Sequence, residues 1–168
     1  VRSITDLVIY EEDLSRINAC LSSLQRKARS AAVLLIDTSG QLIASVGETD
    51  ALDATPLASL AAGSIAAAGA LAQLLGEKEF SFVFYDGEQK RLHLSLIGGR
   101  AILLVLLDQN SAVALVRLQV KKFSREIEEV FTDLSRRPDT VAEGGGPLSK
   151  SNIGEITDDD VENLFGKG

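Results

Sequence analysis

Cys20 is the only cysteine of the 168 residues and His93 the only histidine, and the chain contains neither methionine nor tryptophan. One cysteine forbids an intramolecular disulfide, which suits a reducing cytosol, the expected location. Cys20 and His93 do not make a set of metal donors, and without a second histidine or a Ser-Lys spacing no nucleophilic triad can be assembled. No GxxxxGK[ST] loop is present to hold phosphates, so the chain is not itself a P-loop nucleotidase. Arg91 and Arg100 read as strand-end arginines rather than transition-state groups. The expectation is therefore no catalytic residue, no metal, no cofactor and no active site of its own. No apolar run approaches the ~18 residues of a membrane span. Val1 to Tyr10 carries Arg2 and Asp6 and lacks the apolar core of a signal sequence, so no membrane insertion is expected.

Basic charge is also scarce where it would matter for nucleic acid. Pro138 to Gly168 holds seven acids against Lys150 and Lys167, a net of −5, which leaves −2 of the total −7 for the first 137 residues. Phosphate binding needs clustered Lys and Arg, so the acidic end points to a positive patch on a protein instead. Three prolines, 5% aromatics and 45% apolar residues describe one globular domain with a tail.

What is abundant is small residues. From Leu57 to Leu75 a helix-length stretch contains Ala58, Ala61, Ala62, Gly63, Ser64, Ala66, Ala67, Ala68, Gly69, Ala70 and Ala72. Ala62, Ala66 and Ala70 repeat every four residues on one face, and Leu57, Leu60, Leu71 and Leu75 mark another. A helix with two apolar faces and no charged one should be covered twice, once by its own domain and once by something else. Thr55 reads as its N-cap with Pro56 at the first helical position, and Gly76 closes it.

Around it the periodicities predict a first helix from Tyr10 to Arg29, with Leu14, Ile17, Leu21, Leu24 and Ala28 stepping by three and four. Cys20 lies beside that stripe and reads as a small buried hydrophobe. Strands Ala31 to Ile36 and Gln41 to Val46 flank the turn residues Asp37-Thr38-Ser39-Gly40. Phe80, Phe82 and Phe84 alternate in a third strand. In a fourth, Leu92, Leu94 and Leu96 alternate with Arg91, His93 and Ser95, which reads as one polar, solvent-facing side with His93 on the surface. Ala101 to Leu107 has no polar member and belongs in the middle of the sheet. An amphipathic helix from about Ser111 to Arg136 ends the domain. The fold class is α+β: a five-stranded antiparallel sheet with helices on both faces, in the order α-β-β-α-β-β-β-α.

Residues 1–137 form the expected domain and 138–154, with Gly144-Gly145-Gly146-Pro147, the expected flexible linker. In 155–168, Thr157 and Asp160 resemble a capping box, and Val161, Leu164 and Phe165 fall at i, i+3 and i+4 behind the acids Asp158, Asp159 and Asp160. A short amphipathic helix on a tether has the form of a docking motif.

Leu7-Val8-Ile9-Tyr10-Glu11-Glu12, Leu35-Ile36-Asp37 through Gly40-Gln41-Leu42-Ile43, Leu57-Ala58-Ser59-Leu60 with Ala62-Gly63, Leu115-Val116-Arg117-Leu118 with Lys121-Lys122, and the terminal EITDDDVENLF carry a resemblance. Together with the element order they resemble the roadblock family, dynein light-chain-like domains that dimerise and sit on small GTPases, and within it the bacterial regulators of cell polarity and motility. Ser64-Ile65 departs from the family pattern, which carries Asn at the first of these positions. The resemblance implies a homodimer whose sheets join edge to edge and whose second helices pair into a platform for one GTP-bound small GTPase. On it, Ser59, Ala62, Gly63, Ala66 and Ala70 match the binding face. Such proteins activate GTP hydrolysis without an arginine finger by holding the GTPase's own groups in place, at a cell pole in the polarity regulators. The tail is similar to a segment that docks on the GTPase and modulates nucleotide exchange. A non-catalytic scaffold for a motor or signalling complex shares all of these fold features and stays open. A small-molecule sensor would need a polar-lined cavity, of which the aliphatic runs Val33 to Ile36 and Ile102 to Leu107 give little sign.

Overall fold

A computed structural model describes residues 2–4 and 7–137; the expected linker and the docking residues Asp158, Asp159, Asp160, Val161, Leu164 and Phe165 lie outside the described residues. The strands are β1 (Arg2–Ile4), β2 (Leu7–Ile9), β3 (Ala32–Asp37), β4 (Leu42–Gly47), β5 (Val83–Asp86), β6 (Lys90–Ile97) and β7 (Ala101–Asp108). The helices are α1 (Glu11–Ala28), α2 (Ala54–Leu74) and α3 (Val113–Arg136). Strands β3 to β7 form one antiparallel sheet in the order β4-β3-β7-β6-β5, which puts the all-apolar β7 at its centre. The β1–β2 pair precedes the expected order.

The period of two along the strands assigns each residue to one of two layers. Val33 and Leu35 of β3, opposite Val105 and Leu103 of β7, face α1 and α3, where Ile17, Leu21, Leu24, Val120, Phe123 and Ile127 fill the larger core. Leu34 and Ile36, opposite Leu104 and Ile102, face α2 and pack with Ala58 and Ala61. The result is a three-layer α/sheet/α arrangement.

The structure corrects the sequence reading at four places. Helix α2 begins at Ala54 behind Asp53, not behind Thr55, and no side chain caps it. Pro56 then falls within the first turn, where its missing N–H is one of the donors left unpaired at any helix start. The third strand is shorter than the Phe80–Phe84 alternation suggested, since pairing to β6 starts at Val83. α2 is, by length and composition, apolar enough to cross a membrane, because alanine and glycine replace the charges that would break the run; in the fold, one flank of it lies on the sheet. Finally, the side of β6 that carries His93 and Ser95 is not solvated: the two residues are 2% and 6% exposed, because they sit on the face that α3 covers.

At its far end α2 terminates as the sequence suggests. Gly76 takes φ +73°, the Glu77 N–H donates to Ala72 O at 2.9 Å and the Gly76 N–H to Gln73 O at 3.2 Å, the paired bonds of a left-handed helix stop.

Candidate functional site

The outer surface of α2 is the distinctive feature of the molecule. Ala58, Ala61 and Ala72 are its only fully buried residues, so most of a 21-residue helix without a charged side chain is uncovered on at least one flank. Ser59, Gly63, Ala66 and Ala70 are exposed and Ala62 is half-buried. Successive residues turn by about 100°, so these five fall on one stripe and Leu60, Leu71 and Leu74 on another beside it.

Two contacts fix which stripe faces which end of the sheet. In the β3–β4 turn, the buried Asp37 accepts at Oδ1 the N–H groups of Ser39 (2.9 Å) and Gln41 (2.8 Å) and the Ser39 hydroxyl (2.6 Å), an aspartate-centred turn. That bend brings Gly40 (φ +90°) under α2: a Cβ there would lie 3.0 Å from Ser59 Cα and 3.6 Å from Ala62 Cβ. The small-residue stripe therefore starts against the β3–β4 turn. On the other flank the hydroxyls of Ser64 and Tyr85 are 2.6 Å apart, tying α2 to the edge strand β5. Ser64 thus has a structural partner. Leu60, 72% exposed, Leu71, 55%, and Leu74, 84%, lie around the helix from Ser64 and continue the apolar surface beyond that flank. Burying one such leucine is worth about 1.5–3 kcal/mol, so an uncovered row of three is a substantial drive for association.

The residues weighed for chemistry are engaged otherwise. Arg91 donates to Asp86 Oδ1 at 2.8 Å and to Gln109 Oε1 at 3.1 Å, and Arg100 donates to Ser135 Oγ at 3.0 Å. Cys20 is half-buried, and burial, reinforced by Glu126, pushes its thiol up to about 12, far from a thiolate nucleophile. No group of three or more metal-donor side chains occurs among the described residues. His93 is the residue that sequence reasoning misplaced. Its ring stacks on Phe82 at 5.1 Å, and burial, with the Arg117 charge second, lowers its pKa to about 4, so it is neutral at physiological pH.

The apolar upper helix over a central antiparallel sheet, with two helices behind, is the geometry against which the relatives can be compared. Residues 16–107 match the Roadblock/LC7 domain, and MglB of Myxococcus xanthus is 43% identical over 79% of this chain and 100% of its own, with a TM-score of 0.73. This chain belongs to the Roadblock/LC7 family. The gliding protein MglB of Thermus thermophilus is 30% identical, covering 76% of this chain and 97% of its own at a TM-score of 0.70. A Roadblock/LC7 domain from Streptomyces avermitilis, 17% identical over 68% of this chain and 97% of its own, shares the fold at a TM-score of 0.64. Comparison with curated proteins gives no match. The family match runs from within α1 to within β7 and so contains all of α2.

Proposed function

We propose that this roadblock chain is a homodimeric regulator of an MglA-like small GTPase, accelerating GTP hydrolysis without contributing a catalytic side chain. The observation that carries this reading is the uncharged outer surface of α2, with Ser59, Gly63, Ala66 and Ala70 open on a helix of which one flank lies on the sheet. The likeness to the two MglB proteins supports it.

In this reading the two stripes have different partners. Leu60, Leu71 and Leu74, with the edge strand β5 beside them, meet their counterparts in a second copy. Pairing two α2 helices sets two small-residue stripes side by side, and a backbone-smooth shelf of that kind lets a GTPase switch segment approach closely. The chain then acts by preferring the hydrolysis-competent arrangement of groups the GTPase itself supplies, so its contribution equals the difference in its affinity for the two arrangements. The tail, Asp158 to Phe165, acts as a second, tethered contact on the GTPase and modulates nucleotide exchange.

The test is GTP turnover by the MglA-like partner of the same cell with the unmodified chain and with Ala66→Arg. Activation is expected from the former and at least a tenfold loss from the latter, about 1.4 kcal/mol or more, since a long charged side chain cannot be accommodated where surfaces meet through alanine. Because Ala66 is exposed, the variant keeps its fold. Binding without any change in turnover would leave the scaffold role in place of activation.

A further inference from the structure

On the opposite side of the sheet from α2, a groove of about 730 Å³ runs between α3 and the β5–β6 edge. One wall is a row of cations. Arg117, Lys121 and Arg125 recur every fourth residue on α3, so they line one face over about 12 Å, and none makes an ion pair among the described residues. Arg117 lies over the Phe82 ring at 4.3 Å, and Phe82 in turn stacks on His93, which fixes the position of that guanidinium at the groove's end.

The floor is polar and unsatisfied. His93 Nδ1 and Nε2 and Ser95 Oγ are all buried without a hydrogen-bond partner. A buried polar group left unpaired costs about 1–3 kcal/mol. The one N–H of neutral His93 and the Ser95 hydroxyl are two unpaired donors on one groove floor, lined also by three cations without an ion-pair partner among the described residues, and both features call for a ligand that offers oxygens. Two carboxylates share the lining: Glu128, whose Oε1 accepts the Gly98 N–H at 3.2 Å, and Glu79.

We propose that this groove binds a small soluble anion carrying two or three linked phosphates. The phosphate chain would lie along Arg117, Lys121 and Arg125, with an oxygen taking the Ser95 hydroxyl and the N–H of neutral His93. A single phosphate would engage only part of a row this long. A flat lipid surface would not reach floor residues that are 2% and 6% exposed, which favours a soluble ligand over a headgroup. The site lies on the opposite side of the sheet from the small-residue stripe and shares only the β5 edge with the proposed self-contact, so loss of phosphate binding and loss of GTPase activation are separate readouts.

The experiment is isothermal titration of the full chain with inorganic tripolyphosphate and pyrophosphate at about pH 7.5 and roughly physiological salt, alongside Lys121→Gln and Ser95→Ala. Saturable binding, weakened at least about tenfold by Lys121→Gln and several-fold by Ser95→Ala, is expected, since the lysine pairs a full charge with the phosphate and the serine only a dipole. Ser95→Ala removes one unpartnered hydroxyl and keeps the fold, so unchanged affinity in that variant would show a surface ion atmosphere only and overturn the proposal. Absence of binding to either probe would overturn it, as would association with phosphatidylglycerol vesicles alone.

Discussion

His93 shows what a single neutral ring costs and confers. Its pKa lies near 4 in the folded chain and near 6.5 unfolded, so between these values the unfolded chain binds the extra proton. The stability tied to keeping the ring neutral is therefore fully present above about pH 6.5 and is lost as pH falls towards 4, at no more than roughly 1.4 kcal/mol per pH unit. Urea unfolding at about pH 7 and about pH 5 should show this loss in the unmodified chain and a smaller one in His93→Phe, which keeps a ring beside Phe82 but cannot titrate. Equal losses in the two would mean that other groups carry the pH dependence. Asp13 makes a related point about burial. It stands in the first turn of α1, where an acid suits the helix dipole, yet its side chain is fully buried, with Oδ2 accepting from Arg137 Nη1 at 2.9 Å. Position in a helix is local information, whereas burial depends on α3 lying alongside α1.

Among the elements, α2 was the most legible and β6 the least. The repeated alanines and the missing charges along α2 declare a helix with more apolar surface than one sheet can cover, and its uncovered surface includes both the small-residue stripe and the leucine row. Its start slipped by two residues because Thr55-Pro56 is a plausible cap-and-first-turn pair, and only the backbone placement of Asp53 decided between them. In β6 strict alternation proved the strand but not the environment. Arg91, His93 and Ser95 read as a solvated face, when α3 crosses that face and encloses two of the three. Period two tells which residues share a side of a strand and is silent on what lies over it. The leucine row carries its own prediction. Leu71→Asp with Leu74→Asp places two carboxylates where the proposed self-association buries apolar surface, and both positions are exposed in the single chain. Sedimentation should shift from dimer to monomer with the far-ultraviolet dichroism unchanged. A dimer that persists in the double variant would place the self-contact elsewhere.

For the whole molecule, the proposed division of labour is between the domain of residues 7–137 and the acidic sequence that follows it. Removing residues 155–168 is expected to leave self-association intact while changing affinity for the GTPase or its nucleotide exchange rate, measurable by fluorescent-nucleotide release. Identical kinetics with and without the segment would assign the tail no role there. Sequence alone determined the α+β class, the number of strands in the main sheet, the central place of β7 and the exceptional character of α2, because each follows from side-chain periodicity or composition within one segment. Tertiary structure decided the rest: which flank of α2 meets the β3–β4 turn and which meets β5, that His93 and Ser95 floor a groove, and that three α3 cations face them. Those relations join residues tens of positions apart, and only the packing of one layer on another brings them together.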